Sequence, residues 1–124
     1  MSVSADYLAW CAELLAPLGS ITHKRMFSGA GLYSDGIIVA IIIDEQLFLK
    51  TDADNVAKFE AAGSSPFTYT TKTGKETRTS YWRAPDEAMD SPALMHPWAR
   101  SALAASLRAA QRKPVRKKKT PAPR

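Results

Sequence analysis

Lys24-Arg25-Met26-Phe27-Ser28-Gly29-Ala30-Gly31-Leu32-Tyr33-Ser34-Asp35-Gly36-Ile37-Ile38-Val39-Ala40-Ile41-Ile42-Ile43-Asp44-Glu45-Gln46-Leu47-Phe48-Leu49-Lys50 decides the fold, because two short polar breaks separate three apolar runs there. Asp35-Gly36 suits a two-residue type I′ hairpin turn, whose two central residues both need positive φ. Asp44-Glu45 supplies the second reversal. The spacing predicts a three-stranded antiparallel meander over residues 24–50. Its middle run, Ile37–Ile43, is apolar throughout and mostly β-branched, the pattern of a central strand covered on both faces. The remaining chain must then provide that cover.

Working outward, residues 4–16 predict an amphipathic helix: Tyr7, Leu8, Cys11, Leu14, Leu15 and Leu18 follow helical spacing, Ser4 is placed to cap it and Asp6 lies in its first turn. Pro17 and Gly19 end it. Cys11 falls on the apolar stripe and reads as a buried, inert thiol, while Trp10 lies off the stripe. After the meander, capping residues from Thr51 to Asn55 precede Val56, Phe59 and Ala62, and Gly63 suits the position after a helix. Residues 67–71 and 77–82 predict a hairpin turned at Gly74-Lys75, with Thr77, Thr79 and Tyr81 alternating against Arg78, Ser80 and Trp82. A short helical turn is expected from Pro85 to Met89. The final helix carries Met95, Trp98, Ala99, Ala102, Leu103, Ser106 and Leu107 on one stripe. Pro97 sits near its start, so either the helix begins close to Leu94 or a separate turn over 92–95 precedes it.

The expected fold is therefore α+β: about five antiparallel strands packed with helices, in the order α-β-β-β-α-β-β-α, with room for one more short helix. A chain of 124 residues, 45% apolar and 23% charged, fits one domain. No apolar stretch reaches the length of a membrane-spanning helix, the N-terminus lacks the order of a secretory signal, and a single cysteine cannot form an internal disulfide. A cytoplasmic location is expected. The formal charge of +5 is unevenly spread: Arg112, Lys113, Arg116, Lys117, Lys118, Lys119 and Arg124 supply seven positive charges with no acid among them, leaving ten basic against twelve acidic groups in residues 1–111. Residues 1–111 read as the folded domain and 112–124 as a disordered basic tail.

Lys24 to Tyr33 with Asp35-Gly36, Leu47-Phe48-Leu49-Lys50 with Asp52, Phe59 with Ala61-Ala62-Gly63, Pro66-Phe67-Thr68-Tyr69, Ser80-Tyr81-Trp82, Pro85 and Trp98-Ala99-Arg100 together make residues 5–107 resemble the N-terminal domain of the TfoX/Sxy family, bacterial proteins named for regulation of natural competence. The resemblance implies an α+β domain that acts as a binding module, with a role in transcriptional, competence-type regulation. Met95-His96-Pro97 departs from the uninterrupted helical stretch seen more often in that family.

Gly29-Ala30-Gly31 lacks the third glycine and following helix of a dinucleotide loop, so these glycines read as a bulge or a close backbone approach. His23 and His96 stand too far apart to define a metal site by spacing, and neither forms a recognisable nucleophile and base pair with Cys11, Ser28 or Ser80. No cofactor is expected. With Tyr81 facing the helices, Trp82 would face outward beside Arg78 and Ser80, so Arg78, Ser80, Trp82 and Arg83 are the candidate surface for a protein partner, transcription machinery included. Arg112, Lys113, Arg116, Lys117, Lys118 and Lys119 are candidates for salt-dependent contact with DNA or RNA. The expectation is a protein-binding regulatory module rather than an enzyme. Nucleic-acid association through the tail is the second reading, and an enzyme whose site is assembled from distant residues the third. The open sheet edges offer a route to a homodimer. Contact is expected on the second hairpin or the tail, with the meander serving the core.

Overall fold

The computed structural model describes residues 4–26 and 29–117, with side chains as far as Gln111. Helix α1 spans Ala5–Leu15, and the side chain of Ser4 caps it by accepting from the Tyr7 N–H at 3.1 Å. Leu8, Cys11, Leu14 and Leu15 form its buried stripe. A 3₁₀ turn, Ala16–Leu18, carries Pro17 and leads into the sheet.

Strands β1 (Ile21–Met26), β2 (Gly29–Ser34), β3 (Ile37–Ile43) and β4 (Gln46–Lys50) run antiparallel in succession. The three-stranded meander is thus four-stranded, because the chain reverses between Met26 and Gly29, which pair directly. Asp35 and Gly36 both have positive φ, 49° and 84°, as a type I′ turn requires. Asp44 and Glu45 repeat that geometry at 51° and 58° without a glycine. Glu45 is held there because its carboxylate accepts from the Ser4 N–H at 2.7 Å and the Ser4 hydroxyl at 3.1 Å.

Helix α2 (Val56–Ala61) closes with Gly63 at φ 83°, where the Ser64 N–H reaches back to the Phe59 carbonyl. Strands β5 (Pro66–Thr70) and β6 (Glu76–Arg83) form the second hairpin, and β6 joins β4. One six-stranded sheet results, in the order β1-β2-β3-β4-β6-β5, against the expected five. After a 3₁₀ turn, Asp86–Asp90, helix α3 runs from Pro92 to Lys117. The Ser91 hydroxyl accepts from the Leu94 N–H, Pro92 takes the first helical position, and the helix continues through Pro97 with no separate turn ahead of it. Its backbone extends beyond the expected boundary at Gln111. The side chains of Arg112, Lys113, Arg116 and Lys117, and Lys118 to Arg124 entirely, lie outside the described residues. No helix among the described residues is long and apolar enough to cross a membrane.

All helices contribute to one core. Leu14 and Leu15 of α1, Phe59 of α2, and Met95, Ala99 and Ala102 of α3 are buried against Ala30, Leu32, Ala40, Ile42, Leu47, Leu49 and Trp82 of the sheet. Directly paired strand residues share a face. The pairs Ala30↔Ile42, Leu32↔Ala40, Ala40↔Leu49, Ile42↔Leu47 and Leu49↔Trp82 therefore place the core on one side of the sheet. A register shift at Leu32/Tyr33 leaves Val39 unpaired, and it too is buried. Polar ties secure α3. The Arg108 guanidinium grips Asp52 with two hydrogen bonds of 2.6 and 2.9 Å, and buried Asn55 donates to the backbone and hydroxyl of Ser101. Trp10 makes its own contact, donating its indole N–H to the Met89 carbonyl at 3.2 Å.

Candidate functional site, the open sheet face

Alternation along each strand sends the neighbours of the core residues to the other face. Register places Met26, Gly31, Tyr33, Ile38, Ile41, Ile43, Phe48 and Tyr81 there. Among the described residues no helix supplies core residues to this side, so Ile38, Ile41 and Ile43 remain only half-buried while Ala40 and Ile42 are fully buried. Ile37–Ile43 is thus covered on one face, not two. Phe48, 6% exposed, is sheltered by Phe67, whose ring centroid lies 5.3 Å away, and Phe67 stacks in turn on Tyr69, which is 48% exposed. The result is a broad apolar surface from Met26 on β1 to Tyr69 on β5.

The four residues expected as a partner surface are divided by the sheet. Trp82 is 5% exposed and in the core beside Leu49, so it faces the helices and Tyr81 turns away. Pro66 pairs with Trp82 and Thr68 with Arg78, so three residues of β6 oppose one of β5; two extra residues keep the alternation in step, and Arg78 and Trp82 stay on one face, which is the helix side and not the outward one expected. The Thr79 hydroxyl serves this irregularity, donating to the Phe67 carbonyl at 2.9 Å and accepting from the Tyr81 N–H at 3.2 Å. Arg78 is exposed with its guanidinium 5.7 Å from the Trp82 ring, and the Ser80 hydroxyl accepts from Lys50 Nζ at 2.7 Å. Only Arg83, paired with Phe48, shares the open face, where it bonds exposed Asp86 at 3.2 Å.

Lys50 Nζ lies 5.3 Å from the centroid of the Tyr81 ring, its own pair partner. Burial pushes the Tyr81 hydroxyl above its ordinary value, and nearby Tyr33 adds to the shift. A depression of about 440 Å³ opens here, lined by Gly36, Ile38, Lys50, Tyr81, Ser106 and Ala109 among others. The Ser106 hydroxyl anchors its floor by donating to the Ile38 carbonyl at 2.6 Å. A second depression, about 410 Å³, lies between Leu18 and α3, with His96, Arg100, Leu103 and Leu107 in its lining.

Among the described residues, no three His, Cys, Asp or Glu side chains gather as metal ligands would. Cys11 is fully buried and desolvation pushes its thiol up to about 12. That state opposes thiolate chemistry. Ser28 lies outside the described residues. The glycine pair has a clear packing role. A methyl group on Gly29 would collide with the Ile42 carbonyl oxygen, so the close backbone approach is to β3.

The open face was only half-legible beforehand. Its signal was Ile37–Ile43 itself: a strand apolar on both sides in a domain with too few helices to cover both. Among known families, the model of the TfoX N-terminal domain matches residues 13–106. No curated protein matches the chain.

Proposed function

The chain belongs to the TfoX N-terminal domain family, and from that premise we propose that it is a small cytoplasmic regulatory module that works by binding a protein partner, without catalysis, in transcriptional control of the competence type. The observation that carries the proposal is the open sheet face, where Ile38, Ile41 and Ile43 stand only half-buried between aromatic neighbours. A contiguous apolar surface on a small domain is the mark of an interaction site. The meander, and not the second hairpin alone, becomes the place of contact.

A photo-crosslinking residue at position 43 or 69 is expected to capture a protein in cells, while the same residue at exposed position 60 on α2 captures none. An Ile41→Arg replacement, checked by circular dichroism for an intact fold, is expected to reproduce the transcript profile of a deletion; Tyr69→Ala provides a milder second variant. A wild-type profile for both folded variants, or equal crosslinking from position 60, would refute the proposal.

The segregated charge favours a second reading, nonspecific DNA or RNA association through residues 112–124, which hold seven basic residues and no acid. Removing those residues should then abolish a salt-sensitive affinity for duplex DNA. Unchanged affinity would end that reading.

A further inference from the structure

We infer that the open sheet face takes an amphipathic helix of a partner protein whose apolar stripe is bordered on both sides by Asp or Glu. The inference rests on the protein-binding reading above and gives the partner its chemistry.

Register supplies the argument. Lys24 pairs with Gly31, Gly31 with Ile41, Ile41 with Phe48, and Phe48 with Arg83, so these five residues form one row across the sheet on its open side. The row has a cation at each end and apolar residues in its middle. Adjacent strands lie about 4.8 Å apart, which separates the backbone positions of Lys24 and Arg83 by about 19 Å. An α-helix with its side chains is about 10–12 Å across. It therefore fits along the strands between the two cations, leaving their long side chains room to meet carboxylates on its flanks. Lys50, two residues along β4 from Phe48, adds a third cation to the same face.

Acids are missing from this surface in a way that composition does not explain. Residues 1–111 hold more acidic than basic groups, yet Glu76 is the only acid within any of the six strands. Glu76 pairs with Thr70, one position from the Thr77↔Tyr69 pair, so it points away from the face that Tyr69 occupies. Asp86 offsets Arg83 from outside the sheet, through an exposed bridge.

An apolar or basic partner would strip water from the cations at the ends of the row, Lys24 and Arg83, and bring no charge to offset the loss, whereas carboxylates at the rim offset it and steer the encounter. A second copy of the chain suits poorly, since face-to-face stacking sets cations against cations with no acid in any open-face strand position. Single-stranded nucleic acid would complement the charge and could stack on the flanking rings, but the middle of the face is Ile38, Ile41 and Ile43, which suits an apolar stripe better than a run of bases.

The test uses the full chain, labelled with ¹⁵N, and four measurements. These are titration with an 18-residue helical peptide bearing a leucine stripe flanked by Glu, titration with its twin flanked by Lys, titration with a 15-nucleotide oligo-dT, and sedimentation of the protein alone. The Glu peptide is expected to shift the amides of Ile41, Phe48 and Tyr81 while leaving Glu13 of α1 unmoved, and to bind about tenfold more tightly than the Lys twin at low salt. Lys24→Glu and Arg83→Glu, both at exposed positions, should each weaken it about fivefold without loss of spectral dispersion. Equal binding of the two peptides would overturn the acidic partner and leave the protein-docking reading standing. Preferential shifts with oligo-dT, or dimerisation at micromolar concentration through the same amides, would overturn it in favour of those occupants. Failure of both peptides to shift the face would sink both readings together.

Discussion

Gly29→Ala tests the close approach of the β2 backbone to β3. The added methyl group would overlap the Ile42 carbonyl oxygen and stand 3.1 Å from that residue's carbonyl carbon. The obstacle is main chain, so no rotamer change removes it. A carbon needs about 3.3 Å or more from a carbonyl oxygen. β2 must therefore retreat from β3 by on the order of 1 Å, which is enough to break the local ladder. The retreat falls on Gly29↔Ile43 and Ala30↔Ile42, and Ala30 and Ile42 are both core residues. Losing about two backbone hydrogen bonds at roughly 1–1.5 kcal/mol each, with some core packing, amounts to about 3–4 kcal/mol. That is a large fraction of the roughly 5–15 kcal/mol that holds a domain of this kind together. Gly31→Ala is the matched control. Its methyl group would meet the Met26 side-chain terminus at 2.9 Å and side-chain atoms of Ile38 and Tyr33 at 3.3 Å, all of which can yield, so the cost should be about 1 kcal/mol. Urea unfolding followed by circular dichroism measures both. A Gly29→Ala protein within about 1 kcal/mol of wild type, or a Gly31→Ala protein equally destabilised, would refute the argument.

Other residues give further tests. Hydrogen bonds from Arg108 and neighbouring N–H groups hold the Asp52 carboxyl below its ordinary value of 3.8. Its contribution is therefore present above that pH and is lost as pH falls through the lower folded value, so Asp52→Asn should lower the urea midpoint at pH 6 and progressively less in acid. Asn55→Ala removes a buried side chain that donates to Lys50 and Ser101 and accepts from the Asp52 N–H, and should cost about 2–3 kcal/mol by thermal unfolding. With its thiol raised from 9.0 to about 12, Cys11 should react with a thiol reagent at pH 8 only at the rate of unfolding. Rapid labelling of the native protein would contradict its burial.

Where local chemistry determines geometry, sequence and structure agree. Asp35-Gly36 has the dihedrals its residue types demand, Ser4 caps α1, and Gly63 closes α2. The reversal between β1 and β2 escaped notice because Phe27-Ser28 carries neither glycine nor proline to mark it. The orientation of Trp82 was unreadable for a different reason: alternation groups Arg78, Ser80 and Trp82 on one face of β6, but which face meets the helices is set by the pairing of Trp82 with Leu49 of β4, a tertiary fact. Pro97 illustrates tertiary override, since α3 passes through it despite the lost donor. The candidate face needed the sheet order. Lys24, Ile41, Phe48 and Arg83 are scattered over sixty residues, and only the register β1-β2-β3-β4-β6 sets them in one row.

The bond between Ser4 and Glu45 bears on how the domain should be handled at the bench. It fixes the beginning of α1 beside the β3–β4 turn, whose flanking residues Ile43 and Gln46 pair at the end of the open face. A bulky fusion or a resin linkage attached just ahead of Ser4 would stand at that rim and compete with an incoming helix. Affinity measured on protein immobilised in this way would report the tether as well as the face.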